Sequence, residues 1–217
     1  MKKTVFYFSL FVLSSISVIA QNKHAKADVW IDRFDFEGPG SKTFNRKTLR
    51  GENWLTLTDR DNNGASTIQP NFTTSDKEHG KVLELNYTLT QGELKYDPYV
   101  GVYCNTQAST YPKHIVYVAY DYKGPKHAFQ FCTNDITDYN FYRKNVPASA
   151  EWTTILIPLT ELKRSTDFGN GEKVALNPEE LKALQWFIQG KTGETGTLLL
   201  DNIRFVYTPI ETKNYTE

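Results

Sequence analysis

The sequence predicts an all-β protein, a jelly-roll β-sandwich of two antiparallel sheets with one short helix. Three observations carry this. Segments in which apolar or aromatic residues alternate with polar ones recur along most of the chain, turn-forming residues separate them, and helical patterning is confined to one short stretch.

The alternating segments are Val29–Phe36, Trp54–Thr58, Val82–Leu89, Tyr99–Cys104 and Ile115–Tyr122. They continue with Ala128–Cys132, Asn140–Val146, Thr153–Leu159, Trp186–Gln189 and Thr197–Tyr207. Between them stand Gly38-Pro39-Gly40, Asp61-Asn62-Asn63-Gly64, Lys123-Gly124-Pro125 and residues 167–171. Short strands closed by such turns pack as two facing sheets. The helical stretch has Asn177 as N-cap, Pro178 at the first position and Glu179 and Glu180 in the first turn, and ends near Ala183.

The termini read differently. Met1-Lys2-Lys3 is a basic start, residues 5–19 are an apolar run, and Val18-Ile19-Ala20 offers a peptidase site. This predicts a secretory signal peptide over residues 1–20, cleaved near Ala20, and export to the periplasm, cell surface or medium. The run is shorter than the roughly 20 residues of a membrane span, so no span is expected. Residues 27–208 are expected to form the β-sandwich domain, a monomer, and residues 209–217 a polar tail. The formal charge is zero, so no basic surface points to nucleic acid.

Neighbouring residues of a strand face opposite sides. Along Tyr99–Cys104, Val100, Val102 and Cys104 make one face, and Tyr99, Gly101 and Tyr103 the other. Two amphipathic rings beside a glycine suit a sugar, whose C–H faces stack on aromatics while its hydroxyls need polar partners. Thirteen tyrosines and four tryptophans in so polar a chain exceed what a core needs. Any one such tyrosine, taken alone, reads better as a cap on the rim of the core.

The C-terminal half carries a resemblance. Glu151-Trp152-Thr153-Thr154-Ile155-Leu156-Ile157-Pro158-Leu159 is a Trp-led strand. It is followed by Leu184-Gln185-Trp186-Phe187-Ile188-Gln189, a Gly-rich turn over residues 190–196, and Leu198-Leu199-Leu200-Asp201-Asn202-Ile203. With Asp35-Phe36-Glu37-Gly38 at the start, this order resembles the family-eleven carbohydrate-binding modules and their galactose-binding-like relatives. The resemblance implies a non-catalytic module that binds a β-glucan-type polysaccharide in a concave cleft and holds structural calcium. It places the family's Asp-Tyr pair on Asp167 and Phe168, a cleft arginine near Arg164 or Ser165, a cleft tyrosine on Gln189, and the aromatic strand on Tyr99 and Tyr103. With Tyr142, the carbohydrate-binding set is Tyr99, Tyr103, Tyr142, Asp167, Phe168 and Gln189. The Trp-led strand and the Asp-Asn-Ile pattern also occur in the complex I intermediate-associated protein family, which implies an assembly role without sugar binding.

Asp35 and Glu37 share a strand face and Asp201 lies on the last strand. If the terminal strands are neighbours, three carboxylates gather, which suits Ca²⁺; the alternative is a salt bridge to Arg33 or Arg204. Cys104 and Cys132 are the only cysteines, and are either one disulfide or two buried thiols. No His-Glu-x-x-His and no Gly-x-Ser-x-Gly occurs, and His24, His79, His114 and His127 are scattered. The expectation is therefore no catalytic residue. The enzymatic alternative is a small lyase or glycoside hydrolase, for which Asp135 with Asp138, or Glu161 with Asp167, could in principle supply the carboxylate pair.

Overall fold

The computed structural model describes Phe36 and residues 54–105, 115–169 and 174–207. The signal segment, the first expected strand with Asp35 and Glu37, and the polar tail lie outside the described residues.

Ten strands are described. They are β1 (Trp54–Thr58), β2 (Thr67–Asp76), β3 (Gly80–Thr88), β4 (Tyr99–Asn105) and β5 (Ile115–Gly124), then β6 (His127–Thr133), β7 (Tyr142–Val146), β8 (Ser149–Pro158), β9 (Leu181–Gln189) and β10 (Thr195–Tyr207). They form two five-stranded sheets, in which all the named pairs are antiparallel. Sheet I has the order β1-β4-β9-β6-β7 and sheet II the order β2-β3-β10-β5-β8. Consecutive strands mostly switch sheets, β2–β3 and β6–β7 being the hairpins that stay within one, which is the jelly-roll sandwich that the alternation predicts. The strands around Tyr99, Gln130 and Gln189 are adjacent in sheet I, as expected.

Trp186 of β9 is the hub of the core between the sheets. Its ring lies 5.7 Å from Trp54, 5.6 Å from Phe129 and 5.6 Å, edge-on, from Tyr120 of the opposite sheet. Leu83, Leu85, Leu198, Leu200 and Phe205 close it from sheet II. Phe36 packs 5.7 Å from Trp54 and 6.2 Å from Phe72. Burying each of these large side chains contributes about 1.5–3 kcal/mol, which offsets the entropy of ordering the strands.

Two expectations need correction, and one open alternative is decided. The helix is only a 3-10 turn, Pro178–Glu180, capped by the Asn177 side chain, and Leu181 already begins β9. Strand β2 was not foreseen, because Pro70 and a run of polar residues hide its period; it is tolerated because β2 is an edge strand. The cysteines are both free and buried. Cys104 faces the core with Val100 and Val102, whereas Cys132 is paired with Ala183 on the other face of the sheet. Strand β9 separates them, so their Cα atoms are about 10 Å apart at normal strand spacing. A disulfide needs less than about 7 Å and converging Cβ atoms.

Candidate functional site

The outer face of sheet I is assembled by register. Tyr103 stands opposite Gln185, Gln185 opposite Gln130, and Gln130 opposite Arg143. The row ends on β1 at Leu55 and, beyond the β7 edge, at Lys163, which forms a bridge with Arg143. A second row runs Leu57, Gly101, Phe187, Ala128 and Asn145, and a third begins with Tyr99 opposite Gln189. Since Phe129, Phe131, Leu184 and Trp186 turn inwards, their neighbours must turn out.

The middle of this face is largely covered. Gln130 and Gln185 are only 8% and 9% exposed although they lie on the side away from the core. Among the described residues, no hydrogen bond occupies either side-chain amide, nor the guanidinium of Arg143 or the hydroxyl of Tyr103. Two planar amides, a phenol and a guanidinium therefore line one row with donors and acceptors to spare. Such groups orient hydroxyls, while the rings of Tyr103, Tyr99 and Phe187 offer stacking surface.

The turn after β1 positions the start of β4. Asp59 is fully buried; its carboxylate accepts from Ser66 N (3.0 Å), Ser66 Oγ (2.6 Å) and Tyr99 N (3.0 Å). Asn62 Nδ2 then donates to the Tyr99 hydroxyl at 2.8 Å. Tyr99 stacks on Tyr96 at 6.3 Å and meets Phe187 at 5.0 Å, an aromatic cluster at one end of the face. Burial pushes the Tyr99 phenol upwards, so it stays protonated. Gln189 donates from Nε2 to the Asp97 carbonyl at 3.1 Å, which aims its amide along the same rim. Gly101 is dictated by the backbone: a Cβ there would lie 2.8 Å from the carbonyl oxygen of Trp186.

The structure brings Tyr99, Tyr103 and Gln189 onto this face, but not Tyr142. Tyr142 stands opposite Phe131 and is buried in the core, where its hydroxyl donates to the Val174 carbonyl. Asp167 and Phe168 are exposed on the loop that follows Lys163 past the β7 edge. That loop is clasped to residues 138–140. Arg164 Nη2 binds both oxygens of Asp138 (2.9 and 2.7 Å), its Nε donates to the Asn140 carbonyl (2.8 Å), and the buried Asn140 amide bridges Ser165 and Phe168. Arg164 is thus an internal clamp, and Arg143 is the arginine that faces the row. Alternation about Trp186 was the signal for Gln185 and Phe187. Nothing local marked Arg143.

On the outer face of sheet II lies a second polar cluster. Asp201 of β10 stands opposite Asp121 of β5, and a bulge at Asn202, with φ 49°, turns that side chain towards them too. His79 Nδ1 lies 3.0 Å from Asp201 Oδ2, and Trp152 stacks on His79 at 3.9 Å. Asp121 accepts from Thr154 (2.6 Å) and Asn202 (2.8 Å), with Arg204 at 3.8 Å. Burial pushes the Asp201 carboxyl up to about 6, with nearby Asp121 adding to the rise. So Asp201 is met by His79, not by Arg204. Its Oδ1 is buried without a hydrogen-bond partner among the described residues, which leaves one hard oxygen fit for a cation. Asp35 and Glu37, the other two expected ligands, fall outside the described residues; among the described ones no group of three His, Cys, Asp or Glu side chains is placed to hold a metal ion.

His127 is not in the cleft. It is buried in the core, with Nδ1 3.0 Å from the Pro125 carbonyl and Nε2 2.9 Å from the Tyr120 hydroxyl. A carbonyl can only accept, so the proton sits on Nδ1 and Tyr120 donates to Nε2.

The two-sheet fold is shared with carbohydrate-binding modules of known structure. A family 11 carbohydrate-binding module from Clostridium thermocellum, in complex with a β-1,3-1,4-mixed-linked tetrasaccharide, superposes with a TM-score of 0.56 at 18% identity, covering 80% of this chain and 93% of that one. The family 11 module of the Clostridium thermocellum cellulosomal cellulase Lic26A-Cel5E gives 0.55 at 17% identity, over 83% and 94%. The chain has the fold of the family 11 carbohydrate-binding modules. In sequence, this module-like chain is 29% identical over 163 residues to Endoglucanase 3 of Fibrobacter succinogenes, covering 70% of the chain but 24% of that protein. The chain therefore spans about a quarter of that relative's length. No family model matches the module-like chain. Among the described residues no helix is long and apolar enough to cross a membrane.

Proposed function

We propose that this chain is an exported, non-catalytic carbohydrate-binding protein whose outer face of sheet I takes a β-glucan-type chain. The row Tyr103–Gln185–Gln130–Arg143 carries the reading: an aromatic ring and three groups with unused hydrogen-bonding capacity among the described residues, aligned across one sheet face. The family 11 neighbour solved with a mixed-linked tetrasaccharide supports the ligand class. The basic and apolar start of the chain supports export.

Chemistry supports the lack of catalysis. Glycoside hydrolysis normally needs two carboxyl groups flanking the scissile bond. Among the described strand residues on this face none is Asp or Glu. Asp138 is tied to Arg164 and Glu161 to Lys144, so two of the four carboxylates offered by the sequence are already paired. Calcium, held by Asp201 with Asp35 and Glu37, is part of the proposal, and the unpartnered Asp201 Oδ1 supports it.

The test is titration calorimetry with mixed-linked β-1,3-1,4-gluco-oligosaccharides beside a reducing-sugar assay on the same preparation. Saturable binding without product release is expected. Product release would sink the non-catalytic reading, and absence of binding to any β-glucan would sink the ligand class.

A further inference from the structure

The row on sheet I ends in two cations. Arg143 N donates to the Lys163 carbonyl (2.9 Å) and Lys163 N to the Arg143 carbonyl (3.1 Å). Residues that exchange both bonds are directly opposed, with Cα atoms about 5.5 Å apart and side chains on one face. Like charges so placed repel and destabilise the pairing. A protein normally relieves this with a carboxylate between them. Two carboxylates of the adjoining segments are committed elsewhere, Asp138 to Arg164 and Glu161 to Lys144 at 2.7 Å, while Asp167 on the following loop accepts from Thr166. Among the described residues neither Arg143 nor Lys163 has an ion-pair partner.

We infer that the Arg143–Lys163 pair receives an anionic substituent of the bound polysaccharide, a carboxylate or a sulfate ester, so that the preferred ligand is an acidic glycan. The inference rests on the glycan-binding reading of this face and adds the charge of the ligand. A chain that crosses the strands from Tyr103 over Gln185 and Gln130 arrives at Arg143 and Lys163. The guanidinium fork matches two oxygens of a carboxylate or sulfate, and the ammonium supplies a second, adjustable charge. Arg143 is half-buried, so its attraction is screened less than that of a fully exposed cation. The anion would convert a repulsive pair into a bridged one.

The experiment uses the full chain, Arg143→Gln and Lys163→Gln. Each is titrated with a neutral cello-oligosaccharide, the same oligosaccharide oxidised to glucuronate, and its sulfated form, at about 50 mM and about 500 mM NaCl. At low salt one acidic probe should bind wild type about tenfold more tightly than the neutral one, the size of a charge-assisted contact. That ratio should shrink at high salt, fall close to one in Arg143→Gln and fall several-fold in Lys163→Gln. Which acidic probe wins separates carboxylate from sulfate. If the neutral probe binds at least as tightly as both acidic ones, the inference is overturned and the glycan reading stands. If none of the three binds, both fall. Should Arg143→Gln fail to fold, the exposed Lys163→Gln carries the same comparison.

Discussion

Gln130 of β6 and Gln185 of β9 stand directly opposite each other on the solvent side of sheet I, yet both are more than nine-tenths buried. A pair of covered amides, with no hydrogen bond to either side chain among the described residues, is costly unless water or a ligand meets them. Replacing Gln185 by Ala should therefore weaken oligosaccharide binding about three- to tenfold, the worth of roughly one net hydrogen bond. Gln130→Ala should do the same. Calorimetry on either variant reads this directly, and unchanged affinity in both would move the binding face elsewhere.

Tyr103 and Tyr142 provide a contrast between site and core. Tyr103→Ala loses a stacking ring worth about 0.5–1.5 kcal/mol beyond its area, so affinity should fall roughly tenfold while the thermal midpoint holds. Tyr142→Ala opens a cavity in the core and removes the hydrogen bond to Val174. It should cost about 3–5 kcal/mol of stability. Calorimetry and a thermal melt on both variants check the contrast; a destabilised Tyr103→Ala with a stable Tyr142→Ala would reverse the assignment of faces.

His127 links stability to pH. Burial lowers its pKa from the usual 6.5 to about 4, while the hydrogen bond to Pro125 works the other way. Between these values the unfolded chain takes a proton that the folded chain refuses. Its contribution is whole above about pH 6.5 and is lost as the pH falls through 4, by roughly 3 kcal/mol in all. Urea midpoints measured from pH 7 to pH 4 should fall more steeply for wild type than for His127→Gln. Parallel curves would show that this imidazole is not held neutral.

The proposed calcium site has a thermal signature. A cation that binds only the native chain adds stability by mass action, so a chelator should lower the melting temperature by several degrees and excess calcium restore it. Asp201→Ala should abolish the response. A wild-type midpoint indifferent to both additions counts against the metal.

The cysteines offer a chemical check. Burial pushes the Cys132 thiol up to about 12, and Cys104 points into the core. Alkylation of the native protein should be very slow. In denaturant, without reductant, both thiols should be modified. Failure to modify them until a reductant is added would mean that they are paired after all.

Much of sheet I was legible in the sequence. The outward set Tyr99, Gly101 and Tyr103 follows from the period of two, and the reverse side of the same strand supplies Val100, Val102 and Cys104 to the core. The same rule applied about Trp186 picks out Gln185, Phe187 and Gln189. It fails at β2, where polar residues hide the period and the register shifts between Asn71 and Thr74, and at β10, where the bulge at Asn202 shifts the period by one residue. It misleads at Tyr142, an amphipathic ring like the others. Only its opposition to Phe131 shows that it turns inwards.

The sequence by itself determined which residues are extended and which neighbours face apart, because alternation is a local property of the backbone and is written into adjacent positions. Tertiary structure alone decided who stands beside whom. His79 meets Asp201 across 122 positions of chain, Arg164 is claimed by Asp138, and Arg143 is left facing Lys163 with no ion-pair partner among the described residues. Such pairings depend on sheet order and register, which arise when two distant strands bury their apolar faces together. No spacing along the chain encodes which charge will then be left without a partner.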